Sequence, residues 1–265
     1  MKAWKLVCAM VLIAGLLFGC ASQKETVQEP KVNPQLQENG MGEGFLTATS
    51  LETQTPCNVR VFREMRDDGS GENLLIEVKT GTKVLRKLLY EGACGIGEEL
   101  YFADLTGDGV QEIILHHNTG GCGGYGTYVS WVMTVTEEDI NIVFEEDNLF
   151  DTGFVGGAVD GYHLKVQHSL TNYELIFDAK QEHEIYFDDT GKTDCDNEMV
   201  FDSFYEFEPL DKDGNGVFEL HCKQYTSLYG HVDYVGSACS VWKWDEETQK
   251  FTIAEAWFEP YTEGQ

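Results

Sequence analysis

The apolar residues of this chain come in short runs that alternate with polar ones, and that alternation narrows the folds open to it. Asn73–Lys79, Leu100–Ala103, Glu112–His116, Thr127–Val135, Ile140–Phe144, Tyr162–Val166, Tyr173–Phe177, Phe204–Phe207, Ser240–Trp244 and Lys250–Ala254 are all of this kind. They are rich in β-branched and aromatic residues and are broken by Gly, Asn and Asp, which is the pattern of half-buried strands joined by turns. No stretch holds a period of 3.6, and Val84–Leu89 and Glu145–Phe150 have room for a single helical turn at most. The expected class is all-β, built of antiparallel meanders with many hairpins.

The first residues set the compartment. Lys2 and Lys5 precede an uncharged apolar run from Leu6 to Phe18, a short positive region followed by the core of a signal peptide. The run is shorter than the roughly 20 apolar residues needed to span a bilayer. Leu17-Phe18-Gly19-Cys20 follows, and it resembles the lipobox of bacterial lipoproteins. The resemblance implies a signal peptide over 1–19 and a diacylated Cys20 as the mature N-terminus. Two acyl chains give stable anchoring where one is marginal. The expected location is the cell membrane or outer membrane, facing away from the cytoplasm. Residues 20–44 are polar, with two prolines and three glycines, and read as a lipid-anchored disordered tether. Residues 45–265 are then the folded domain.

The whole chain carries a formal charge of −28, with 18 basic and 46 acidic residues. Such a surface repels nucleic acid, whose binding needs positive charge to displace counterions. It suits a protein that meets cations outside the cell. Beyond Cys8 and Cys20 stand six cysteines, and an even number in an exported chain favours disulfides. If strands flank each turn as the pattern suggests, Cys94 faces Cys122 and Cys222 faces Cys239. Cys57 and Cys195 remain as a long-range pair.

Two loops stand out. Asp104-Leu-Thr106-Gly-Asp108-Gly-Val110-Gln-Glu112 and Asp211-Lys-Asp213-Gly-Asn215-Gly-Val217-Phe-Glu219 share oxygen-bearing side chains at positions 1, 3, 5 and 9 and glycines at 4 and 6. Calcium takes six to eight hard oxygens, and glycine at position 6 permits the sharp turn that gathers them. The loops are not EF-hands: position 12 holds Leu115 or Cys222 instead of Glu, and strands flank them. A DxxGDGxxE loop between strands resembles the FG-GAP/VCBS-type repeat of integrin-like β-propellers. The resemblance implies propeller-like blades and Ca²⁺ bound by Asp104, Thr106, Asp108, the Val110 carbonyl and Glu112. In the second loop it implies Asp211, Asp213, Asn215, the Val217 carbonyl and Glu219. Thr106 offers one fewer strong oxygen than the Asn or Asp usual there, so the first loop is expected to be the weaker site. Asp68-Gly-Ser-Gly71 looks like a degenerate third copy, with Arg66 and Leu74 at the first and ninth positions, and no calcium is expected there.

No Gly-x-Ser-x-Gly, His-Glu-x-x-His or phosphate-loop motif appears, and the histidines are scattered, which argues against an enzyme. Tyr125, Tyr128, Tyr225, Tyr229 and Tyr234 lie in or beside glycine-rich turns, where tyrosines offer contact area to a protein or glycan ligand. The expected function is a calcium-stabilised surface binding or structural module. The alternative is an extracytoplasmic glycan- or peptide-processing enzyme with structural calcium.

Overall fold

The computed structural model describes residues 37–39, 43–45, 57–93, 97–120, 128–146, 151–179, 186–193, 198–228, 230–231 and 233–262. The described chain is all-β. Strands β1 (Gln37–Asn39) and β2 (Glu43–Phe45) form an antiparallel pair. That pair falls across the end of the expected tether, where Asn39-Gly40 is a strong hairpin signal. Four sheets follow, each an antiparallel meander in chain order. Sheet I holds β3 (Cys57–Met65), β4 (Glu72–Thr80) and β5 (Lys83–Ala93). Sheet II holds β6 (Gly97–Ala103), β7 (Glu112–Asn118), β8 (Tyr128–Val135) and β9 (Ile140–Glu146). Sheet III holds β10 (Phe154–Val159), β11 (His163–His168) and β12 (Tyr173–Asp178). Sheet IV holds β13 (Val200–Leu210), β14 (Glu219–Ser227), β15 (Tyr234–Asp245) and β16 (Lys250–Pro260). Val84–Leu89, with room for a helical turn by sequence, lies inside β5.

Three cores join the sheets. The first packs Val59, Val61, Leu74, Ile76 and Val78 of sheet I against Leu100, Ile113, Leu115, Trp131 and Met133 of sheet II. The second packs Ala103, Ile114, Val132 and Phe144 of sheet II against Phe204, Phe207, Leu220, Cys222, Trp242 and Phe251 of sheet IV. The third packs Phe154, Leu164 and Val166 of sheet III against Val235, Ala238 and Phe258 of sheet IV. Sheet II is therefore covered on both faces, and β7 is buried from Glu112 to His117. A strand covered on both sides reads as a continuous apolar run, as Ile113-Ile-Leu115 does.

Sheet I packs on sheet II, sheet II on sheet IV and sheet III on sheet IV. A propeller seats each blade against the next one in sequence around a common axis. Here sheet II packs on sheet IV, and sheets II and III share one face of sheet IV. Register shows this: Leu220 and Cys222 lie on the same side of β14 as Gln224, which stands opposite Ala238, itself opposite Phe258. Sheets II and IV are four-stranded meanders and sheets I and III three-stranded, and their packing does not follow the sequential order expected of a propeller. Sheet III is short, and β12 shows only half-buried and exposed positions, so it offers no second face to sheet II.

Register also overturns one disulfide. Cys222 stands opposite Ser240 and Cys239 opposite Lys223. Consecutive residues of a strand point to opposite faces, so the two thiols leave the sheet on opposite sides. Both are free and buried. Burial raises the Cys222 thiol well above the ordinary range and pushes Cys239 up to about 12. Cys20, Cys94, Cys122 and Cys195 lie outside the described residues.

Candidate functional site

The two Asp/Gly loops connect β6 to β7 and β13 to β14, and three hydrogen bonds recur at matching positions of both. Asp104 Oδ1 accepts the Gly107 N–H at 2.7 Å, and its Oδ2 accepts the Gly109 N–H at 2.9 Å. Asp211 does the same for Gly214 at 2.7 Å and Gly216 at 2.9 Å. Asp108 Oδ1 accepts the Val110 N–H at 2.8 Å, and Asn215 Oδ1 accepts the Val217 N–H at 2.6 Å. All four matched glycines have positive φ, between 73° and 90°, which explains glycine at positions 4 and 6 of both. The Asp68–Gly71 turn is a weaker echo, with Asp68 Oδ1 accepting the Ser70 N–H at 2.9 Å and the Ser70 hydroxyl at 2.6 Å.

The loops touch. Phe218 N–H, at position 8 of loop two, donates to the Asp104 carbonyl of loop one at 2.7 Å. The Val217 methyl groups stand against Gly107, 3.5 Å from where a Cβ would be. Leu105 is buried in the core between sheets II and IV, and Phe218 packs against the same core. Packing of the two sheets therefore brings together loops that lie far apart in sequence.

Their ninth positions differ. Glu112 is 2% exposed and folds back over its own loop. Its Oε2 accepts the N–H groups of Leu105 at 2.8 Å and Thr106 at 3.3 Å. Burial, and then the charges of Asp108 and Asp104, push its carboxyl up to about 7. Three carboxylates are thus crowded at loop one. Glu219 instead pairs through Oε1 with Lys243 Nζ at 2.9 Å. Its Oε2 is buried with no hydrogen-bond partner.

These donors suit calcium. Asp104 accepts two N–H groups and Asp211 three, so of the roughly four acceptor sites of an ionised carboxylate about two remain on Asp104 and about one on Asp211. The crowded acids at loop one and the unpartnered Glu219 oxygen are oxygens a cation would satisfy. Among the described residues no three His, Cys, Asp or Glu side chains already converge on one point. A calcium shell also draws on hydroxyl, amide and carbonyl oxygens, here Thr106, Asn215, Val110 and Val217.

Elsewhere buried polar groups link the sheets. His116 Nδ1 lies 3.0 Å from Ser130 Oγ, which donates to Glu146 Oε2 at 3.2 Å. Glu146 Oε1 accepts the Phe204 N–H at 3.2 Å, tying sheet II to β13. The hydroxyl sits between acid and imidazole, so the imidazole does not bridge Ser130 to a carboxylate as a general base would. Tyr128 stacks on His116, with ring centroids 4.6 Å apart. Tyr225 stacks on Tyr234 at 4.6 Å, and Tyr234 OH shares Ser237 Oγ with Tyr205 OH at 2.7 Å each. Tyr125 and Tyr229 lie outside the described residues. Sequence reading missed Lys243, the Phe218–Asp104 link and the Asp202–His231 pair at 2.6 Å. All are long-range, and no local motif marks them. Among the described residues no helix is long and apolar enough to cross a membrane.

Residues 154–259, which span sheets III and IV, are similar to the family described as the YybI C-terminal domain. The protein described as Uncharacterized protein YybI of Bacillus subtilis (strain 168) is 22% identical over 185 residues, covering 68% of this chain and 70% of that one. No solved structure matches the chain.

Proposed function

We propose that this chain is a lipid-anchored envelope protein whose paired, blade-like meanders are stabilised by calcium at their Asp/Gly loops and act as a surface binding or structural module. In this reading the lipid on Cys20 holds the protein at the cell membrane or outer membrane, and the domain faces a calcium-containing space. The FG-GAP/VCBS-type resemblance supplies the ligand sets. The observation that carries the reading is the set of three hydrogen bonds that recurs in two distant loops, which then meet through Phe218 and Asp104. An ordinary hairpin turn needs no such duplication.

The residues would act as follows. Asp104, Thr106, Asp108, Val110 and Glu112 of loop one, or Asp211, Asp213, Asn215, Val217 and Glu219 of loop two, present oxygens. Calcium would supply positive charge that offsets the crowded carboxylates. Because the loops close the ends of β6–β7 and β13–β14 and meet across the second core, bound charge would stiffen the seam between sheets II and IV. A protein or glycan partner would then meet a rigid surface.

Thermal melting of the chain after EDTA treatment, with and without added CaCl₂, tests this. A ligand that binds only the folded state stabilises by RT ln(1 + [L]/Kd), about 2.7 kcal/mol at a hundredfold excess over Kd. The expected outcome is a higher Tm with calcium. An unchanged Tm at millimolar calcium would remove the metal from the reading.

A further inference from the structure

We propose that Asn215 is a site of spontaneous deamidation, that the folded loop two holds the reaction back, and that its product sets a new carboxylate against Asp213; none of this depends on a bound ion. Asn215-Gly216 is one of two Asn-Gly pairs in the chain, with Asn39-Gly40. Asparagine is among the thermolabile residues, and a glycine after it leaves the next backbone nitrogen unhindered. Gly216 has φ +90°, and beyond its chain neighbours no heavy atom stands within 4 Å of where a Cβ would be. Asn215 and Gly216 are both exposed, so water reaches them.

The reaction is intramolecular. The Gly216 nitrogen attacks Cγ of Asn215, and the Cγ–Nδ2 bond breaks as the new N–Cγ bond forms. The hydrogen on the Gly216 nitrogen leaves with Nδ2 as ammonia, and a five-membered imide remains. Water then adds to one imide carbonyl and breaks its bond to the nitrogen. Opening at one carbonyl gives aspartate, and opening at the other gives isoaspartate, whose main chain runs through the side-chain carbons.

The folded loop opposes the attack on both sides of the new bond. Asp211 Oδ2 accepts the Gly216 N–H at 2.9 Å, so the nucleophile is tied, and negative charge growing on it faces a carboxylate. Asn215 Oδ1 accepts the Val217 N–H at 2.6 Å, and its Nδ2 donates to Asp213 Oδ2 at 3.0 Å, so the amide cannot turn without losing both bonds. Local opening of the loop must therefore come first. Loop one shows how much of the product the fold accepts. Asp108, at the matching position, takes the Val110 N–H just as Asn215 takes that of Val217. Loop one has Thr106 where loop two has Asp213, however. Aspartate at 215 thus exchanges a hydrogen bond to Asp213 for a contact between two carboxylates. Like charges so placed raise each other's pKa, so the product weakens the loop while both are ionised and recovers as acid protonates them.

Ageing of the chelator-treated full chain in warm, mildly alkaline buffer, followed by peptide mapping with mass spectrometry, tests this. The same chain in urea is the open reference, and Asp213→Ala is the loosened loop. Asp213 is exposed, so the alanine leaves no cavity, and far-UV circular dichroism checks folding. Asn215 is expected to convert at least about tenfold more slowly in the folded wild type than in urea, the factor by which a closed loop limits access. Asp213→Ala should speed conversion in the folded chain and leave the rate in urea unchanged. Asn215→Asp, made directly, should melt below the wild type at neutral pH, with the gap closing in acid. No conversion in urea would remove the site. Equal rates folded and in urea, or a folded Asp213→Ala that converts no faster than the wild type, would overturn the restraint by the loop. An Asn215→Asp chain melting with the wild type at neutral pH would overturn the clash with Asp213. Calcium is absent throughout, so each of these failures leaves the calcium reading where it stands.

Discussion

His116 is a titratable side chain on a strand with no exposed face. Burial lowers its pKa from 6.5 to about 4, although the charge of Glu99 pulls the other way. The folded chain therefore refuses a proton that the unfolded chain accepts between these values. Stability from this residue is complete above about pH 6.5 and is lost as the pH falls toward 4. The shift corresponds to about 3 kcal/mol at most, at roughly 1.4 kcal/mol per unit. His221 is also lowered to about 4, by burial and then by Lys212 and Lys243, and contributes with the same sign. Urea melts at pH 7.5 and pH 5 should show His116→Gln less stable than wild type at the higher pH and less sensitive to acid. An equal acid sensitivity would show that His116 does not supply it. The sequence places His116 on a strand beside the first loop, but only the closure of sheet IV over sheet II explains why it stays neutral.

At the scale of the element, the hairpins depend on a few positions that tolerate no side chain. Gly236 opens the β15–β16 pairing opposite Pro260, with φ +152°. A Cβ there would run into the Glu259 carbonyl and reach the Phe258 ring at 2.7 Å. Gly236→Ala should cost at least about 2 kcal/mol, from overpacking together with backbone strain. Chemical denaturation would read this directly; a loss under half a kcal/mol would mean the strand shifts to make room. The loops follow a different rule. Their positive-φ glycines and Asp caps are local, so their shape is legible in nine residues. The pairing of Cys222 and Cys239 was not: proximity across a turn suggested a bridge, and strand alternation put the thiols on opposite faces.

At the scale of the molecule, sheet II is the hub. Phe144 of β9 lies 5.6 Å from the Phe207 ring, 5.4 Å from Trp242 and 5.7 Å from Phe251, so sheet IV completes its core only with sheet II in place. The YybI-like segment, 154–259, contains sheets III and IV but not sheet II. Expressed alone, residues 154–262 would expose Phe204, Phe207, Leu220 and Trp242, each worth roughly 2–3 kcal/mol when buried. The fragment should melt well below the full chain, bind a hydrophobic dye or self-associate. A monomeric fragment melting with the full chain would make sheets III and IV an independent domain.

The sequence by itself determined what depends on near neighbours. Alternating runs specify strands, and Gly and Asp at fixed offsets specify the two loops. These rest on backbone preferences and on the period of the side chains, which a few consecutive residues express. Tertiary structure decided which sheets share a core, that two loops 107 positions apart meet at Phe218 and Asp104, and that Lys243 reaches Glu219. Those outcomes depend on how faces of similar apolar character choose partners. Hydrophobic burial is non-directional, so the choice comes from shape and register across the whole chain and not from any one stretch of it.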